Sequence, residues 1–96
     1  MGLGTTPFDA ADSLDTVESQ EELIADAMAT CDAKYIAAAL GVVARARGMT
    51  KVAAEAGVTR EALYTSLSER GDPKLTTVLG VARALGLRLT FSRAQS

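Results

Sequence analysis

The stretch Thr50-Lys-Val-Ala-Ala-Glu-Ala-Gly-Val-Thr-Arg-Glu-Ala-Leu-Tyr-Thr-Ser-Leu-Ser68 meets, at successive positions, the steric demands of two short helices crossing over a tight turn. Val52 and Ala53 point inward from the first helix, which runs over residues 51–56 behind Thr50. A steep crossing needs a small side chain at the contact, and Ala53 supplies it. Gly57 ends the helix and takes the positive φ that the turn requires, while Val58 tucks beneath as an apolar anchor. Thr59 caps the second helix, residues 60–68, whose inward face is Ala62, Leu63 and Leu67. Its leading side chains are left to project outward.

Working upstream, Asp32 caps a helix over residues 33–47, where Tyr35, Ile36, Leu40, Val43 and Ala44 recur at spacings of three and four. Arg45 and Arg47 sit in its last turn and Gly48 follows it. Before it, Ser19 and Glu22 form a capping box that opens a helix over residues 20–30. Downstream, Gly71-Asp72-Pro73 marks a loop, Thr76 or Thr77 caps a helix running to Ala84, and Gly86 stops it. Leu87-Arg-Leu-Thr-Phe91 alternates apolar and polar, the pattern of a half-buried strand that must pair with a partner molecule or a local segment. The expectation is an all-α, five-helix domain over residues 19–96 with a short C-terminal β-strand, preceded by an acidic arm, residues 1–18.

Ninety-six residues with 48% hydrophobic content accommodate one core and leave too little for a second domain. A single cysteine, Cys31, excludes an internal disulfide and reads as an inert thiol. With no histidine there is no Ser-His-Asp or Cys-His machinery, no His-ligated zinc and no ordinary general base at neutral pH. Glu18 and Glu22 pair on one helical face, but capping accounts for them. The expectation is a non-enzyme without metal or cofactor. No apolar run approaches the roughly 18 residues of a membrane span and no leader pattern opens the chain, so the expected location is cytoplasmic.

The net charge of −2 conceals a split. Residues 1–32 hold eight acids and no Lys or Arg, a charge of −8, whereas residues 33–96 hold all ten bases against Glu55, Glu61, Glu69 and Asp72, a charge of +6. An acidic arm thus joins a basic body suited to phosphates. Two helices crossing over a tight turn, on a basic body, describe a helix-turn-helix, in which the leading turn of the second helix enters the major groove and flanking hydroxyls, amines and backbone N–H groups hold phosphates.

The runs Ala39-Leu-Gly-Val-Val-Ala-Arg-Ala-Arg-Gly48, Val52-Ala-Ala-Glu-Ala-Gly57, Thr59-Arg-Glu-Ala-Leu-Tyr64, Leu67-Ser68 and Gly71-Asp-Pro73 resemble the addiction-module antidote proteins. These are HigA-like antitoxins with a lambda-repressor/Xre-type helix-turn-helix, and the resemblance covers about residues 8–91. It implies a bacterial, nucleoid-associated antitoxin that neutralises a RelE/ParE-superfamily toxin and represses its own promoter. Asp72 departs from the asparagine expected before the proline, which weakens a phosphate role for that loop.

By position and by outward projection, Thr59, Arg60, Glu61, Tyr64 and Thr65 are the expected readers of duplex DNA. Arg60 can fork onto guanine, Glu61 can accept from cytosine N4 or hold Arg60, and Tyr64 can reach a phosphate or a thymine methyl. Thr50 and Lys51 open the preceding helix and suit a phosphate; Arg45, Arg47 and Lys74 are lesser phosphate candidates. The plain alternatives are a solvated Arg60 and a core-edge Tyr64. In the acidic segment Phe8, Leu14 and Leu23 are the apolar anchors for a basic toxin. Half-sites one helical turn apart call for a homodimer, and residues 87–91 are where it is expected to form. Competing functions are a stand-alone helix-turn-helix regulator without a toxin, and a helical module that binds RNA or protein.

Overall fold

The computed structural model describes residues 16–68 and 70–94. Five helices lie among them: α1 (Val17–Thr30), α2 (Ala33–Arg47), α3 (Met49–Ala56), α4 (Arg60–Ser66) and α5 (Leu75–Ala84). The described residues are compatible with the expected all-α fold.

Most helix ends follow from local chemistry. The Asp32 carboxylate accepts from Lys34 N at 3.0 Å and Tyr35 N at 3.5 Å, which starts α2. Gly48, at φ 111°, ends it by donating to the Ala44 carbonyl at 2.9 Å. Gly57, at φ 78°, closes α3: its N–H donates to the Ala54 carbonyl and the Val58 N–H to that of Ala53, at 3.3 and 3.1 Å. This doubly bonded ending satisfies two terminal carbonyls and brings Val58 down onto the core. The same arrangement closes α5, with Gly86 donating to Arg83 and Leu87 to Ala82.

Other ends differ from expectation. α1 begins three residues before 20, at Val17, because Thr16 rather than Ser19 caps it: Thr16 Oγ1 accepts from Ser19 N at 3.0 Å. Val17 and Glu18 are therefore helical, with Glu18 at the favourable end of the dipole. α1 ends at Cys31, a non-glycine residue at φ 56° whose N–H donates to the Met28 carbonyl. α3 starts at Met49, so Thr50 lies inside it. α5 starts at Leu75 behind Lys74, placing Thr76 and Thr77 in its first turn instead of at the cap.

The core joins all five helices through Ile24 of α1, Leu40 and Val43 of α2, Val52 of α3, Leu63 of α4 and Val81 of α5. Contacts run α1 on α2, α2 on α3, α3 on α4 and, most extensively, α3 on α5. Two glycines permit close approaches. A Cβ on Gly41 would collide with the Leu67 carbonyl just past α4, and one on Gly80 would come within 3.0 Å of the Ala56 Cα. A partly buried polar tie crosses the core edge: Arg47 Nε donates to Gln20 Oε1 at 2.6 Å and its Nη2 to the Leu85 carbonyl at 3.4 Å.

Three inward or strand assignments are corrected. Tyr35 is exposed, because the helical repeat sets it on the side of α2 opposite the buried Ala37, Leu40 and Ala44. Ala62 is exposed beside the buried Leu63, since the seven-residue α4 turns only a narrow stripe inward. No strand exists among the described residues; residues 87–91 run without regular structure, because no second described segment is hydrogen-bonded alongside to pair with them. No helix among the described residues is long and apolar enough to cross a membrane.

Candidate nucleic-acid interface

The sequence places a tight turn, residues 57–59, between α3 and α4, and packing decides what each helix shows to solvent. Met49, Val52 and Ala53 hold α3 against the core, and Leu63 and Leu67 hold α4 and its end. The helical repeat then turns Thr50 and Lys51 of α3, and Arg60, Glu61, Tyr64 and Thr65 of α4, outward. All six are exposed, as is Thr59. Thr59 also serves the backbone, its Oγ1 accepting from Ala62 N at 3.0 Å.

On α4 the outward residues fall into two pairs one helical turn apart. The Arg60 guanidinium lies 5.7 Å from the centroid of the Tyr64 ring, an interaction of a cation with an aromatic face. The Thr65 hydroxyl donates to the Glu61 carbonyl at 3.1 Å, which leaves its oxygen lone pairs pointing away from the helix to accept. Arg60 thus presents a pre-ordered fork of donors, with acceptors at Glu61 and Thr65 beside it. The stack was detectable in the sequence only as the spacing of four between Arg60 and Tyr64.

The helices differ in how their first N–H groups are satisfied. Thr16, Asp32 and Thr59 cap α1, α2 and α4 with side-chain oxygens, whereas Gly48 before α3 and Lys74 before α5 provide none. The two helices without a side-chain cap flank α4. Beside α4, Val58, Ala62, Ser66, Pro73, Lys74 and Thr77 line a groove that runs to the start of α5. Ala62, expected inward, and Ser66, which has no signal in the sequence, take this place because α5 lies alongside, a contact between distant segments.

The remaining candidates are scattered. Arg45 and Lys74 are exposed. Arg47 is half-buried and engaged with Gln20 and Leu85, so the core uses its donors. Leu23 is half-buried against the core, and Phe8 and Leu14 lie outside the described residues. The exposed acids Glu18, Glu22 and Asp26 follow one another at intervals of four along α1, in the third of the chain that has no base. Cys31 is exposed at a helix end.

Comparison with known proteins gives two matches and one blank. Residues 4–93 match a family described as "probable addiction module antidote protein". An uncharacterised protein of Haemophilus influenzae (strain Rd) is 35% identical over 88 residues, which is 92% of this chain and 91% of that protein. No solved structure matches.

Proposed function

Because the chain belongs to the addiction module antidote protein family, we propose that it is the antitoxin of a bacterial toxin-antitoxin pair, neutralising a RelE/ParE-superfamily toxin and repressing its own operon. In this reading α3, the turn and α4 form a helix-turn-helix of the lambda-repressor/Xre type. The observation that carries the DNA half is the exposed face of α4, where Arg60, Glu61, Tyr64 and Thr65 stand together next to a helix whose first N–H groups lack a side-chain acceptor.

Specificity and affinity then divide between the two helices. Arg60, held over Tyr64, reads guanine through its paired donors; Glu61 accepts from cytosine N4, and Thr65 meets either kind of edge. Thr50, Lys51 and the first N–H groups of α3 hold a phosphate and set the depth of α4 in the groove, a contribution that falls as salt rises. Thr59, already capping α4, contributes position. Nothing in this recognition requires a metal or cofactor. The protein acts as a homodimer, one copy on each half of a palindromic operator.

The toxin half rests on family membership and on charge. The acidic segment, with Phe8, Leu14 and Leu23 as its apolar contacts, faces a basic toxin, and electrostatic complementarity steers the encounter. One experiment separates the two halves. Binding to the promoter of its own operon is measured against random duplex, and binding to the toxin encoded beside it is measured in parallel, for the full chain and for a variant lacking residues 1–15. The expected result is unchanged operator affinity with lost toxin binding. Tighter operator binding on deletion would instead mean that the arm lies across the protein's own basic surface, and equal affinity of the full chain for operator and random duplex would refute the repressor reading.

A further inference from the structure

We propose that residues 87–91 form the two-fold interface of the homodimer, pairing antiparallel with the same residues of a second copy in a register centred on Leu89. Leu87 is anchored by the ending of α5, its N–H donating to the Ala82 carbonyl at 2.7 Å, and its side chain packs against the core. From there exposure alternates: Arg88 out, Leu89 half-buried, Thr90 out. Phe91 belongs by parity to the inward set with Leu87 and Leu89, yet it is 98% exposed. The segment has run past the edge of its own core. None of residues 88–94 has its backbone hydrogen-bonded to another described segment, so with respect to the described residues the row of donors and acceptors is open as well.

A second copy of the same segment meets both needs. In a two-fold antiparallel pair centred on Leu89, Leu87 faces Phe91 of the second copy, Leu89 faces its counterpart, and Arg88 faces Thr90. Every apolar residue of the segment then has an apolar partner on one face, and Phe91 is laid over the second copy's Leu87. Other registers fail. Centring on Arg88 sets like charges directly opposite, centring on Thr90 sets Leu87 against Arg93, and a slip by one residue moves the apolar set to the wrong face. Because no acid follows Asp72 in the sequence, ion pairs cannot select the register and the apolar matches must. Two strands alone are marginal, but these would be anchored on the helical core through Leu87, with Leu89 half-buried beside it.

This inference rests on the DNA reading only in that half-sites call for a two-fold pair, so association is measured without DNA. Full-length protein carrying Cys31→Ser is examined by light scattering at micromolar concentration, then with Leu89→Lys, with circular dichroism to verify that helicity is kept. The expected result is a dimer that Leu89→Lys converts to monomer. Independently, Leu89→Cys in the Cys31→Ser background should cross-link to itself on mild oxidation, because directly opposed residues bring their Cα atoms to about 4.5–5.5 Å, within disulfide reach. Phe91→Cys alone should not cross-link, but should do so when mixed with Leu87→Cys. A monomeric parent, or a dimer that neither cross-links at position 89 nor responds to Leu89→Lys, overturns the inference. A dimer with this register that ignores operator DNA upholds it and overturns the DNA reading alone.

Discussion

The Arg60 guanidinium lies 5.7 Å from the Tyr64 ring centroid, across one turn of the exposed face of α4. The contact restricts a flexible side chain before any ligand arrives, which lowers the ordering cost of binding. Tyr64→Ala should therefore weaken operator binding by about two- to fivefold through lost pre-ordering, on the scale of an exposed cation–aromatic contact. Arg60→Ala should do more, relaxing the preference at one base position by about five- to a hundredfold. Binding titrations against operators substituted one base pair at a time measure both; an unchanged preference profile in Arg60→Ala would remove it as a reader.

Lys51 stands exposed in the first turn of α3, behind a cap residue with no side-chain acceptor. A phosphate contact there carries no base information. Lys51→Ala is expected to weaken all duplexes by the same factor and to reduce the slope of log affinity against log salt by about 0.9. A sequence-dependent loss would move Lys51 from phosphate to base.

Gly41 meets the Leu67 carbonyl so closely that α2 accepts no Cβ at this position. The obstacle is backbone and cannot swing aside. Gly41→Ala should destabilise the fold by about 1–3 kcal/mol despite alanine's better helix propensity. Thermal denaturation should show a midpoint lower by about 4–8 °C per kcal/mol, and an unchanged midpoint would contradict the packing described.

Arg47 ties α1 to α2 through Gln20 and reaches the Leu85 carbonyl. Arg47→Met keeps the apolar stem but leaves buried polar atoms short of a donor, at a cost of about 1–3 kcal/mol. Chemical denaturation should register that loss, while the salt slope of operator binding should stay as in the parent. Arg45→Ala, at an exposed position two residues earlier, provides the contrast: little change in stability.

How much of this was legible in the sequence depended on the range of the interaction concerned. The caps at Asp32 and Thr59, and the glycine endings at 48, 57 and 86, are set by φ and by oxygen acceptors within five residues. They could be read directly. The true start of α1 was misplaced because Thr16 and Ser19 both have capping side chains and both precede acids, a choice that local chemistry leaves nearly balanced. The exposed face of α4 followed from the spacing of Leu63 and Leu67, but the Arg60–Tyr64 stack needed rotamers.

By itself, the sequence determined that the chain is helical, where most of its helices end, and which third is acidic, because each depends on neighbouring residues or on charge alone. Tertiary structure decided that Arg47 serves the core, that Tyr35 and Ala62 stay outside it, that Gly41 must lack a side chain, and that residues 87–91 find no strand among the described residues. Those outcomes turn on which distant segment lies within reach, and a contact between residues 27 or 38 apart has no local signature.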